Sequence, residues 1–472
     1  MIWIVFISAL HLLGILSAIK AIQESRTSQG AIAWVIFLIT FPYLALPIYW
    51  VFGRNRFHGY IGTKHTNDQK LEEELETLLE EMHPYEVSEK EMNRVELAGE
   101  RMTFFPTLKG NATTLLIDGE ATFESILQGI AEAQTYILIQ FFIVSDDGLG
   151  NRVKEALIAK AKEGVKIYFL YDEVGSHDLS KQYLKSLRHT GVKIEAFHTQ
   201  KGFKNRFQIN FRNHRKIVVV DGKVAWVGGH NIGDTYLGLS QKFGHWRDTH
   251  IKLEGPSVLA LQLSFYEDWY WATDADIPDL LWKAFASDHG NKEVLIIPSG
   301  PADVLETAGL MFHHAINVSQ KRIWIASPYF VPDDAIFSAL QLAGLRGVDV
   351  RILIPDKADH LLVYLAAFNY FEDLVKTGVR FFRYEDGFLH QKVMLIDNNT
   401  AAVGTANFDN RSFRLNFEIT CIVKDKAFAS EIETMLLDDM SHAREMTVEE
   451  LEQKPFWFNF ATKVARLTSP LQ

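Results

Sequence analysis

The chain has 472 residues, with 48 Lys plus Arg against 59 Asp plus Glu, a formal net charge of −11. Its 47% apolar and 23% charged composition excludes a disordered chain. The single cysteine, Cys421, excludes an intramolecular disulfide framework and any Cys-rich metal site, and the acidic total argues against a protein that wraps nucleic acid or rests on anionic lipid.

The charge is unevenly distributed. Residues 1–53 hold only three charged side chains, Lys20, Glu24 and Arg26. Residues 2–19 form an apolar run, and residues 31–52 form a second run of 22 residues without a charge. As a helix the second run reaches roughly 33 Å, enough to cross a hydrocarbon core. Trp3, Trp34, Tyr43, Tyr49 and Trp50 lie towards the ends of the runs, as interfacial aromatics do. No Lys or Arg precedes the first run, which argues against a cleaved signal peptide. The pattern predicts a transmembrane helical hairpin over 1–53, with one span plus an interfacial segment as the alternative. Pro42 and Pro47 are tolerated in such helices, with a kink. Arg54, Arg56 and Lys64, weighed against Lys20 and Arg26, put the large remainder in the cytoplasm, so a multi-pass membrane protein is predicted.

Residues 54–108 read as a charged connector. Leu71, Leu75, Leu78, Leu79 and Met82 recur at helical spacing with Glu on the other faces, the pattern of a solvated linking helix rather than an acidic docking surface. Residues 68–100 carry twelve acidic and three basic side chains, so most of the net negative charge belongs to the connector and the rest of the chain is close to neutral. The argument against anionic lipid therefore fails for the catalytic body.

The remainder repeats itself, over 109–288 and 289–472. Residues 136–143, 165–171 and 192–197 read as strands separated by helices, with stops at Gly164 and Gly191. Residues 322–326, 348–354 and 379–384 replay them, with stops at Gly347 and Gly378. Alternating strands and helices predict an α/β fold of two homologous halves about a pseudo-twofold axis, each with a largely parallel sheet.

Each half carries the same motif. The first is His214-x-Lys216-x4-Asp221-x6-Gly228-Gly229-x-Asn231; the second is His390-x-Lys392-x4-Asp397-x6-Gly404-Thr405-x-Asn407. Residues i and i+2 of a strand share a face, so His and Lys of each motif point the same way. Paired across the axis, two His, two Lys and two Asn make a cationic, hydrogen-bond-donating pocket suited to a phosphodiester. Zinc is not expected, because His-x-Lys lacks metal-ligand spacing. Asp221 and Asp397 are candidate catalytic carboxylates. Their place after four apolar residues at a strand end favours a structural turn instead.

These paired motifs resemble the H-x-K-x4-D signature of the phospholipase D superfamily. The likeness extends over essentially the whole chain to the bacterial cardiolipin synthases. It includes the two N-terminal apolar runs, Pro298-Ser299-Gly300-Pro301, residues 327–332 (SPYFVP), Arg247-Asp248-Thr249 with Glu254-Gly255-Pro256, and Ser469-Pro470-Leu471. The resemblance implies a phosphatidyltransferase that joins two phosphatidylglycerol molecules and needs no metal, nucleotide or other cofactor. It implies His214 as nucleophile, His390 as acid and base, and Lys216, Lys392, Asn231 and Asn407 on the phosphate oxygens. It further implies a carboxylate orienting each His, matched here by Asp248 and by Glu418, with Asp234 also available for the first. The partners implied are phospholipid and membrane, not nucleic acid; nothing in the sequence sets an oligomeric state. A phospholipase D or phosphodiesterase using water or another alcohol would share these residues.

One segment of the first half has no counterpart. Residues 201–216 hold Lys201, Lys204, Arg206, Arg212, Arg215 and Lys216 without an acidic residue, interleaved with Phe203, Phe207 and Phe211. This reads as an interfacial lip that meets anionic headgroups.

Overall fold

The computed structural model describes residues 1–53, 57, 60, 69–103, 105–198 and 210–472, with the side chains of 69–75 and 471 excepted. Arg54, Arg56, Lys64 and residues 199–209 of the basic–aromatic segment lie outside the described residues.

The first apolar run is one helix, Ile2–Glu24, about 35 Å long. It is the one helix among the described residues long and apolar enough to cross a membrane. The second run is not one continuous helix. It breaks at Phe41 (φ −131°, ψ 58°) into Ser28–Thr40 and Pro42–Phe52. The cause is Pro42, which has no N–H to continue the first helix and disfavours the α conformation at the residue before it. The two short helices fold back on each other, with the Trp34 and Tyr49 rings 5.1 Å apart. Their turn meets the middle of the first helix: a Cβ on Gly14 would lie 2.5 Å from the Leu38 carbonyl oxygen and 3.0 Å from Pro42 Cβ. The loop between the first two helices touches the catalytic body, since Arg26 Nε lies 3.0 Å from Glu306 Oε1. Both ends of the short hairpin therefore face the body, and its tip reaches halfway along the long helix. One long apolar helix with a short helical hairpin against it stands where a pair of long helices was predicted.

The segment that follows is bolted to the body. Phe57 N–H donates to the Pro301 carbonyl at 3.2 Å, and its ring meets Phe211, Trp271 and Phe417 edge-on at 5.1–5.5 Å. Tyr60 O–H donates to Asp268 at 2.8 Å. The connector helix Gln69–Met82 is also docked: Leu78 and Met82 are buried in the main core.

One continuous sheet crosses both halves. From its outer edge the first half runs Lys193–Phe197, Lys166–Asp172, Tyr136–Phe141, Ile217–Val220, Val224–Gly228, Thr249–Glu254. The second runs Arg380–Tyr384, Asp349–Pro355, Arg322–Ala326, Val393–Ile396, Thr400–Gly404, Asn416–Lys424, the same order reversed. Leu108–Ile117 and Lys292–Ser299 pair at the centre, so the pseudo-twofold passes between them. The expected α/β repeat is present, but the sheet is mixed. Within each half of this sheet parallel pairing is confined to three strands joined through helices, Lys193–Phe197, Lys166–Asp172 and Tyr136–Phe141 in the first and Arg380–Tyr384, Asp349–Pro355 and Arg322–Ala326 in the second, where Ala443–Glu445 adds an antiparallel outer edge. The motif strand enters antiparallel, because the short turn after it makes a hairpin, and hairpins invert direction.

A Phe57→Ala variant empties the centre of the aromatic cluster that joins anchor to body. It should lower the unfolding free energy by about 3–5 kcal/mol, read as a reduced denaturant midpoint of the purified full chain.

Candidate active site

The two motif strands, Ile217–Val220 and Val393–Ile396, are buried along their whole length. Their apolar side chains fix them in the sheet, and the residues just before them carry the chemistry. His214 and His390 are only 7% and 8% exposed, and Lys216 and Lys392 are buried beside them.

The halves exchange partners at this point. His214 N–H donates to the Phe417 carbonyl at 2.9 Å, and His390 N–H to the Arg247 carbonyl at 2.8 Å. Each bond extends a short parallel pairing between halves, Asn416 beside Arg212 and Phe388 beside Trp246. The side chains cross likewise. His214 Nδ1 lies 2.9 Å from Glu418 Oε2 of the second half, and His390 Nδ1 lies 2.7 Å from Asp248 Oδ2 of the first. With Nδ1–H on the carboxylate, Nε2 of each ring is left with its lone pair. Asp234, the other candidate for the first half, instead accepts from the Gly148 and Leu149 N–H groups.

The supporting groups differ between the halves as a matched pair. Glu418 also accepts from Thr405 Oγ1 at 2.6 Å, Ser412 Oγ at 2.8 Å and Asn416 Nδ2 at 3.1 Å. Asp248 accepts from the Thr249 N–H at 2.8 Å. The residue equivalent to Thr405 is Gly229, where a Cβ would stand 2.0 Å from Asp248 Oδ1. The shorter acid thus goes with the missing side chain.

Both lysines curl back onto their motif. Lys216 Nζ donates to the His214 carbonyl at 2.7 Å, and Lys392 Nζ to the His390 carbonyl. Lys392 Nζ also lies 2.8 Å from His390 Nδ1. Burial lowers all four groups, and repulsion between the two halves' cations adds to it. His214 falls to about 4, against the opposing pull of Glu418. Lys216 falls to about 7 and Lys392 to about 8. His390 lies well below its ordinary value, with Lys392, Lys216 and His214 the cationic neighbours that depress it. The His214 charge holds Glu418 below the usual carboxylate range, although burial acts the other way. These mutual effects bring His214, Lys216, His390 and Lys392 into one site.

Asn231 Oδ1 accepts from the Ile143 N–H at 3.1 Å, and the Tyr236 hydroxyl bonds to its side chain. Asn407 is buried and its N–H donates to Ser412 Oγ at 3.0 Å.

The structure does not bring Asp221 and Asp397 to this site. Each stands at the far end of the motif strand, roughly 16 Å of extended chain beyond the Lys, in the left-handed conformation (φ 53° and 50°). Asp221 accepts from the N–H groups of Gln134, Thr135 and Tyr136. Asp397 accepts from those of Gln320, Lys321 and Arg322. Both tie the hairpin to the strand start beside it.

Of the middle residues of the motifs, Gln391 was not singled out by sequence, and Arg215, read as part of the basic lip, is buried instead. Arg215 and Gln391 point to the other face of their strands, as alternation requires. Arg215 Nη1 pairs with buried Asp268 at 3.0 Å, and Gln391 Nε2 donates to Asp439 at 2.9 Å. The signal was present: Asp268 and Asp439 follow Asp248 and Glu418 at nearly equal offsets.

A family model described as "Cardiolipin synthase, PLD-like domain" matches residues 126–244 and 312–440. The chain belongs to this cardiolipin synthase, phospholipase D-like family. A second family model, "Phospholipase_D-nuclease N-terminal", matches residues 9–54. Similar curated proteins include cardiolipin synthase A of Pseudomonas putida, 47% identical over 98% of this chain and 97% of that protein. Cardiolipin synthase A of Pseudomonas fluorescens is 48% identical over 99% and 98%. Among solved structures, the phosphatidylserine synthase of Haemophilus influenzae covers 80% of this chain and 100% of its own, with a TM-score of 0.60 and 16% identity, a likeness of fold.

Two measurements check the site. An anion bound beside these four groups raises their affinity for protons, so inorganic sulfate, which does not itself titrate there, should bind at pH near 7 with net proton uptake. Calorimetry in buffers of different ionisation enthalpy reads it, and proton release would contradict the assignment. Asp397→Asn should lower stability by about 1–3 kcal/mol through lost backbone hydrogen bonds, while the folded fraction keeps its turnover.

Proposed function

We propose that this protein is a membrane-bound cardiolipin synthase that transfers a phosphatidyl group from one phosphatidylglycerol to another, giving cardiolipin and glycerol. The observation that carries the reading is the pair of crossed His–carboxylate contacts with two lysines in one site, in a chain similar over its full length to cardiolipin synthase A.

His214 Nε2 attacks phosphorus of the donor, and the P–O bond to glycerol breaks. His390, protonated, gives its proton to the departing glycerol oxygen. Lys392 beside His390 works against a resting charge there, so the proton arrives with the anionic substrate rather than before it. The intermediate is a phosphatidyl-histidine. The hydroxyl of a second phosphatidylglycerol then attacks phosphorus while His390 takes its proton, and His214 leaves. Lys216 and Lys392, with Asn231 and Asn407, hold the non-bridging oxygens as charge grows. Glu418 and Asp248 keep each ring in the tautomer that presents Nε2.

A shallow surface depression is lined by Tyr329, Phe330, Ile354, Val363, Phe368 and Phe371, with Asp359 at one side, and offers an apolar wall for an acyl chain.

Orientation follows from the anchor. The contact of Arg26 with Glu306 puts Lys20 and Arg26 on the side of the body, and residues 1–19 carry no charged side chain. By the positive-inside rule the body is cytoplasmic, and the start of the long helix is on the other face.

His214→Ala or His390→Ala should abolish turnover. Cardiolipin made from phosphatidylglycerol by either purified variant defeats the two-histidine chemistry. Acid quench with labelled donor should leave phosphate on His214; label on His390 alone reverses the roles, and phosphatidic acid as the main product makes water the acceptor. In intact cells an impermeant thiol reagent should modify Ile2→Cys and spare Gln29→Cys; the opposite result restores two full spans.

A further inference from the structure

The helix Phe456–Arg466 is amphipathic in an unusual sense: its apolar face points outward. Phe456, Trp457, Phe460 and Leu467 are 85%, 67%, 62% and 80% exposed, and Val464 is exposed with them. At 100° per residue these five fall within roughly a 100° arc. The opposite face is spent on the body. Thr462 and Ala465 are buried, the Thr462 carbonyl accepts from Asn369 Nδ2 at 2.6 Å, and the Phe458 ring meets Phe368 edge-on at 5.0 Å. The helix is thus held firmly, with its aromatic edge in solvent.

Charge and position point to one occupant. Residues 453–472 contain Lys454, Lys463 and Arg466 and no acidic residue, in a chain of net charge −11. The helix also lies on the side of the membrane anchor. Arg466 reaches Asp334 at 4.0 Å, the adjacent Asp333 pairs with Arg414 at 2.7 Å, and Arg414 shares Glu306 with Arg26 of the anchor loop. Val304, close to Glu306, is exposed as well. A bilayer crossed by Ile2–Glu24 is therefore continuous with this face.

We propose that Phe456–Arg466 is an interfacial helix, which beds its aromatic edge in the anionic headgroup layer of the membrane that the chain spans and seats the catalytic body against it. The consequence for the site is direct. Residues 469–472 follow the helix and pack on Asn410–Arg414, where the Arg411 N–H donates to the Gln472 carbonyl at 2.6 Å. Ser412 of that short helix donates to Glu418, which orients His214. Arg411 also donates to Asn210 at 3.0 Å, the described end of the basic–aromatic segment. Seating the helix fixes the height of the site above the lipid from which the substrate must come.

The test reads depth, not activity, so it stands apart from the proposed reaction. Full-length protein carrying Trp457→Cys, labelled with an environment-sensitive fluorophore, is reconstituted in vesicles of phosphatidylcholine with phosphatidylglycerol. Lys162→Cys, exposed at the end of another helix, is the control. Shallow spin-labelled lipid should quench the 457 label at least threefold more than the control. Lys463→Gln with Arg466→Gln should reduce that quenching, since each cation near an anionic surface contributes roughly fivefold to association. Equal quenching at 457 and 162 overturns the proposal. So does a 457 label shielded from aqueous iodide but untouched by lipid quencher, which makes the face a contact for protein, including a second copy of this chain.

Discussion

Two crossed contacts govern this molecule: His214 on Glu418 and His390 on Asp248. A histidine that must present Nε2 needs a fixed partner on Nδ1. Here each half supplies its own ring and the other half's acid. Neither ring is oriented unless both halves are folded and docked, so the interface between them cannot be loose. The continuous sheet answers that demand. Its centre joins Leu108–Ile117 to Lys292–Ser299, and the backbone bonds of His214 and His390 to Phe417 and Arg247 fix the register beside the site.

The same requirement explains how much of the site is buried. Four cationic or potentially cationic groups are gathered out of water, which burial and mutual repulsion both oppose. Hydrogen bonds and an ion pair hold the framework around it. Glu418 has donors from Thr405, Ser412 and Asn416, and Arg215 is locked to Asp268 behind the strand. An anion bound among these groups would relieve that repulsion.

The repeat, the motif pair and the orienting acids were legible because each rests on spacing that survives in one dimension. Strand limits agreed to within a residue or two at Arg322–Ala326 and Lys166–Asp172. Three things were less legible. The exchange of acids between halves is a property of docking, and no local pattern encodes it. The sheet was expected to be largely parallel, because alternation of strand and helix ignores the hairpin that closes each half. The second apolar run was counted as a span by its length, whereas Pro42 and the close approach of Gly14 decide its shape. Asp221 and Asp397 show the opposite case: their position after a buried strand already implied a turn, and each accepts hydrogen bonds from three successive N–H groups there.

Gly229 and Thr405 occupy equivalent places, and that single difference has a wider meaning. Two identical halves brought together as separate chains would make two identical histidines, and only the substrate could tell them apart. Joining the halves in one chain removes that tie. A hydroxyl on one side and bare backbone on the other, with a long acid opposite a short one, give the site a direction. The two rings are then unequal before any ligand arrives, a difference inherited with the sequence.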